Sequence, residues 1–265
     1  MLPSKEIYTM LKRFFGPLIL ACLFVTCRDN DASGPSAPAS MEASLQITYS
    51  CYWNDSIFRL QQPYTDDFGT IFRIDLMKQY VSSLQLRKED DSFVTLKDFD
   101  LIDFTAPVSR TFTLPAGKYT GVMMGLGIPE NYNTGQDPSQ YANSHPLSVA
   151  GSQGMFWTWN SGYIFSKFEG KCDTSGIQGN PLLIPIAIHA GTDSAYRHLI
   201  HNSEMELVAG QTKNIEIRIH LDELLRGSEN SPLNLSEDAV THSSTDPELA
   251  RLYMDNLLLS IEIIE

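Results

Sequence analysis

The strongest constraint on this chain is a period-two alternation of apolar and polar residues that recurs along it and leaves little sequence for helix. Leu45, Ile47 and Tyr49 alternate with polar neighbours in LQITYSCYW, and the same period runs through YVSSLQLR (80–87) and NIEIRIHL (214–221). Every second residue of a strand lines one face, so each such stretch can bury one side and wet the other. Stretches 119–128, 155–168, 182–189 and 256–264 are rich in aromatic or β-branched residues between turn formers, which predicts four more strands. Pro115-Ala116-Gly117-Lys118 predicts a turn between two strands. A helical pattern is confined to PELARLYMD (247–255), with Asp246 as N-cap and Pro247 at the first helical position, and to a single turn near 222–226.

Many strands separated by turns predict an all-β fold, an antiparallel β-sandwich with one short C-terminal helix. The Pro/Gly/Asn/Ser-rich stretch 129–154 predicts a long inserted surface loop, of the length that often carries function. No internal repeat and no change of composition divides the body, so one domain is expected over 44–265. At 42% hydrophobic residues, the chain has enough apolar surface for such a core.

The first residues predict an address rather than part of the fold. Lys12 and Arg13 precede a mostly apolar run at 14–25, which is signal-peptide length and short for a bilayer span. Thr26 and Cys27 follow, then RDNDASGPSAPAS. This order resembles a bacterial lipoprotein signal, in which the cysteine is acylated and becomes the new N-terminus. Cys27 is the expected attachment point, because the polar tract starts right after it, and Cys22 is the alternative. On this reading 1–26 is the signal peptide, 27–43 is a flexible tether, and the protein sits lipid-anchored in the envelope of a Gram-negative bacterium, facing the periplasm or on the outer membrane. In that oxidising compartment Cys51 and Cys172 either close a disulfide or remain two buried thiols.

Charge and motifs exclude several functions. With 19 Lys+Arg against 32 Asp+Glu, the chain lacks the basic clustering that nucleic acid requires. No GxSxG, P-loop, HExxH or CxxC occurs and no nucleophile–base pair stands out, so an enzyme is not expected. Asp98, Asp100 and Asp103 lack the spacing of a calcium loop and read as a solvated strand end. Of the six histidines, His145 falls in the long loop. His198 and His201 would face opposite ways on a strand, and His220 ends one. His189 ends an apolar strand before Ala190-Gly191, and His242 precedes the C-terminal helix.

The segment 154–170, GMFWTWNSGYIFSKFEG, holds two of the three tryptophans. On a strand Trp157 and Trp159 point the same way, and composition alone reads them as large rings filling a core. The run MFWTWNSGYIF resembles the central motif of the MbnP-like copper-binding family of periplasmic or lipid-anchored bacterial proteins. FGTIFRIDLMKQYVSSLQL, FDLIDF, LPAGKYTGVMMGLGIP, IAIHAG and HSSTDPELARLYMDN are similar to that family's other blocks and fall in its order. The resemblance covers most of the chain from about residue 45.

It implies copper handling outside the cytoplasm. His189 and His242 match family histidines by position, and Trp157 or Trp159 is the candidate for oxidation to kynurenine by a partner di-haem enzyme of the cytochrome-c-peroxidase type. Copper accepts imidazole readily, and kynurenine adds an amine and a ketone where an indole stood. No histidine stands two residues after either tryptophan, a spacing seen in some kynurenine–copper proteins. The competing expectation is a metal-free envelope lipoprotein that binds a glycan or a partner protein, with Trp53 and Trp157 stacking on sugar rings. Trp157 and Trp159 exposed on a flat face would favour stacking, whereas both near His189 and His242 in a pocket would favour metal.

Overall fold

A computed structural model describes residues 41–158, 162–228 and 231–265. The expected signal peptide, Cys22, Cys27, tether residues 27–40 and Trp159 lie outside these residues. In chain order the strands are β1 (Glu42–Trp53), β2 (Ser56–Ile57), β3 (Pro63–Thr65), β4 (Ile71–Lys88), β5 (Phe93–Asp103), β6 (Val108–Pro115), β7 (Gly117–Leu126), β8 (Phe156–Trp157), β9 (Gly162–Tyr163), β10 (Ser166–Asp173), β11 (Ile184–Ala190), β12 (Arg197–Leu207), β13 (Thr212–His220), β14 (Val240–Thr241) and β15 (Ile261–Ile264). The helices are α1 (Glu130–Asn133), α2 (Leu221–Arg226) and α3 (Pro247–Leu259).

Two sheets face each other. One runs β15-β13-β1-β2, with β6 also on β1; the other runs β12-β7-β4-β10-β11-β14, with β3 and β5 on β4. The alternation read from the sequence supplies the inner face of the first sheet. Leu45, Ile47, Tyr49 and Cys51 of β1 are buried beside Ile215, Ile217 and Ile219 of β13. The second sheet answers with Phe72, Ile74, Met77, Phe168, Ile186 and Ile188, and all belong to one continuous core. The sandwich stands as expected, but β1 pairs with β13, and β11 with β14, in parallel, so both sheets are mixed rather than purely antiparallel.

Further expectations are corrected. The folded chain starts earlier than residue 44, because β1 already pairs Glu42 with Pro115. The stretch 155–168 is not one strand: β8 and β9 pair only with each other, and β10 starts anew at Ser166. Residues 256–259 continue α3 instead of forming a strand. A run of leucines cannot separate the two periods by itself, and here Leu249, Ala250, Tyr253, Met254 and Leu257 make one buried helical face. Asp246 caps that helix as expected, its side chain accepting from the Leu249 amide, with Pro247 first.

The stretch 129–154 is not a free surface loop. It folds back with α1 and a turn of 3-10 helix and buries Asn133, Leu147, Ser148 and Ser152. The Tyr80 hydroxyl donates to the Pro146 carbonyl over 2.7 Å, and Lys78 Nζ to Gln153 Oε1 over 3.1 Å. This cover, with Tyr163 over Tyr80 and Tyr196 over Ser82, explains why β4 is buried continuously from Met77 to Ser82 instead of alternating.

Cys51 and Cys172 are not bridged; both are buried free thiols. They lie on different sheets with different partners: the Cys51 thiol points at Met77 Sδ, 3.6 Å across the sandwich, and the Cys172 thiol at the Leu235 carbonyl, also 3.6 Å. Of the three aspartates read as a solvated strand end, only Asp98 is exposed. Asp100 is buried against Arg110, and Asp103 pairs with Lys78. Among the described residues, no helix is long and apolar enough to cross a membrane.

Candidate metal centre

The short parallel pairing of β11 with β14 brings two distant histidines together. Ala187 pairs with Val240 and Ile188 with Thr241, so one step further along the same register lie His189 and His242. Residues in register across two strands share a face, and the two imidazoles meet edge to face with centroids 4.8 Å apart. A single serine holds the backbones in place. The Ser243 hydroxyl donates to the His189 carbonyl over 3.0 Å and accepts the Gly191 amide over 2.8 Å. Ser243 itself sits at φ +57°, a left-handed conformation that aims this hydroxyl back at β11. Thr241 Oγ1 accepts the Ser243 amide and donates to the Asp246 carbonyl, which ties the turn to the cap of α3.

Trp157 lies at the same strand end. It is 5% exposed, and its indole packs over Gly191, two residues beyond His189. A Cβ on residue 191 would come within 2.9 Å of both Cζ3 and Cη2 of Trp157. Glycine is therefore required there by close approach rather than by a turn. The opposite wall is pinned by Asn133, whose side chain accepts the Tyr163 amide and donates to Asp193, each over 2.8 Å. Thr192, next to Gly191, is held at φ +105°, a strained conformation for a β-branched residue and a common neighbour of functional sites.

The electrostatics come from β10. The Glu169 carboxylate meets His189 Nε2 at 2.7 Å and Lys167 Nζ at 3.3 Å through the same oxygen, Oε1. Burial pushes the His189 pKa below its ordinary value; the bond to Glu169 opposes that shift, and the Lys167 charge and His242 add to it. Burial works against ionisation of Glu169, but His189 and Lys167 outweigh it and hold the carboxyl below its usual range. At neutral pH the pair is thus a neutral imidazole against a carboxylate, and a neutral imidazole is the form that binds metal.

The donor set fits copper in part. Among the described residues, no group of three or more His, Cys, Asp or Glu converges, so the chain offers the two imidazoles. Two imidazoles suit a soft-to-borderline cation better than calcium or magnesium, which need oxygen cages.

Three of the other four histidines are occupied elsewhere. His145 stacks on Tyr141 with centroids 4.5 Å apart, His198 sits edge-on to Tyr196, and His220 contacts Glu262. His198 and His201 lie three apart on β12, as expected, and so on opposite faces. Trp53, the other stacking candidate, packs on Tyr64 and Phe72.

Sequence reasoning missed Glu169, Lys167 and Ser243, and noted Gly191 without a role. Only Gly191 carried a usable signal, as a glycine directly after an apolar strand. Glu169 and Lys167 depend on hairpin register, and Ser243 looked like any residue of a Ser/Thr-rich turn.

A family model described as MbnP matches residues 42–244, a span that contains Trp157, Glu169, His189 and His242. Among solved structures the chain is similar to MbnP from Methylosinus trichosporium, with 12% identity and a TM-score of 0.50 over 71% of this chain and 79% of that one. At that identity the likeness speaks for the fold. No curated protein matches the chain.

Proposed function

This chain belongs to the MbnP family, and on that premise we propose that it binds copper outside the cytoplasm through His189 and His242. The observation that carries this reading is the 4.8 Å approach of two imidazoles that stand 53 residues apart in sequence. Burial supports it by favouring the neutral, metal-binding form of His189. Trp157 at the same strand end supports its candidacy for oxidation to kynurenine by a partner di-haem enzyme, which would add a donor where the protein now offers two. The protein's role is to bind and hold: the strand ends fix the rings, Ser243 fixes their spacing, and the Trp157 indole keeps water off the Gly191 side.

The glycan-stacking alternative loses support from the same geometry. Trp157 has no open face, and the ring of Trp53 is packed against two aromatics. The N-terminal sequence supports an anchor, with lipid on Cys27, and globomycin sensitivity of processing tests it.

Competition titration with a Cu(I) chelator tests the metal reading. We expect near one copper per chain and weaker binding in both His189→Ala and His242→Ala. A protein that takes up no copper, or variants that bind as well as the parent, would overturn it.

A further inference from the structure

Glu169 lies on β10, one strand over from His189, and no resemblance or motif pointed to it. The register pairs Lys167 with His189, so Glu169 reaches its imidazole diagonally across the hairpin. The three side chains are 20%, 34% and 11% exposed for Lys167, Glu169 and His189, so the contact is shielded from solvent on the imidazole side. One oxygen, Oε1, meets both Nζ of Lys167 and Nε2 of His189. An ionised carboxylate can only accept, so the proton of the neutral imidazole must sit on Nε2. Rotating the ring would break that bond and leave the half-buried carboxylate with Lys167 alone.

We propose that Glu169 is the positioning residue of the site: it accepts a hydrogen bond from Nε2–H of His189, fixes one tautomer and one ring orientation, and leaves the Nδ1 lone pair as the donor to a metal. The proposal rests on the copper reading above for the identity of the metal, but the tautomer exists in the metal-free protein. A carboxylate behind a ligating imidazole typically changes metal affinity by about 10–100-fold when removed. Lys167 completes the device by pairing with the same carboxylate oxygen.

The test uses 15N-histidine-labelled protein without metal, with the His189 signals assigned by His189→Gln. The wild type should show His189 as the Nε2–H tautomer. Glu169→Gln should keep it, since the amide oxygen still accepts, and should bind Cu(I) within a few-fold of wild type. Glu169→Leu should show mixed tautomers and a Cu(I) affinity lower by about 10–100-fold. An Nδ1–H tautomer in the wild type, or a Glu169→Leu protein that keeps both tautomer and affinity, overturns the proposal. A wild type with the expected tautomer that takes up no Cu(I) supports the role of Glu169 in fixing the ring and overturns the copper reading instead.

Discussion

Ser243 donates its hydroxyl hydrogen to the carbonyl of His189 over 3.0 Å, across 54 residues of sequence. Because the same oxygen accepts the Gly191 amide, this one side chain bonds both flanks of Ala190 and sets where the turn carrying His242 comes to rest. Ser243→Ala leaves two buried backbone groups without a partner and should cost about 1–3 kcal/mol of stability. It should also weaken Cu(I) binding, because the spacing of the imidazoles is no longer held. Thermal unfolding and chelator competition on the same sample check both effects; a change in stability without a change in affinity would show that the latch is structural only.

Gly191→Ala should disturb the site from its other side. The new methyl would press on the Tyr163 carbonyl and on the edge of the Trp157 indole. Overpacking of this kind costs about 1–3 kcal/mol. The indole must move, so near-UV circular dichroism and tryptophan emission should change together with the melting temperature. An unchanged spectrum would mean that Trp157 does not lie over this glycine.

These two positions show where sequence reading ended. The strands of the first sheet were legible because Leu45, Ile47, Tyr49 and Ile215, Ile217, Ile219 each bury one face and wet the other. In β4 the strand was legible at 80–87 but its burial was not, because 129–154, Tyr163 and Tyr196 cover the second face and erase the alternation from Met77 to Ser82. The parallel pairings were invisible, since nothing local records which distant strand lies alongside. His189 and His242 were named through resemblance, not spacing. Glu169 had no signal, because its partner is fixed by a hairpin register that no residue pattern states.

Stability should fall on mild acidification, with the sign set by His189. Burial lowers its pKa in the folded protein, while the unfolded imidazole takes its proton near about pH 6.5. As the pH drops below that value the unfolded chain binds a proton that the folded chain resists, so unfolding is favoured. The contribution is complete above the unfolded value and declines until the folded value has been passed. His145, shifted down mainly by burial, acts in the same sense. Urea midpoints measured between neutral pH and about pH 5 should therefore slope downward, and His189→Gln should flatten part of that slope. A slope identical in the variant would assign the whole effect to other groups.

Reducing agent should leave the melting temperature unchanged. Cys51 and Cys172 contact different partners on different sheets, and burial pushes both thiols up in pKa, which suppresses the reactive thiolate. A thiol reagent should label them only after unfolding. A reductant-sensitive melting temperature would show that the two are bridged and that the sandwich closes differently at β1 and β10.

Of the two candidates for the proposed oxidation to kynurenine, Trp157 is the one whose surroundings are described. Trp157 is buried against the turn that follows His189, so an oxidised ring there would carry its new amine and ketone to the strand end that holds both imidazoles. Conversion would also place polar groups against the Gly191 backbone, where an indole now packs, so the modified ring needs a partner to offset its desolvation, and a metal held by His189 and His242 would be one. Co-production with a di-haem enzyme of the cytochrome-c-peroxidase type should, on this proposal, give the kynurenine mass gain on Trp157 in the fragment that contains both tryptophans. Trp157→Phe should abolish that gain, and Trp159→Phe should keep it. Modification that survives Trp157→Phe would move the oxidised donor to Trp159 and would leave Trp157 with a packing role.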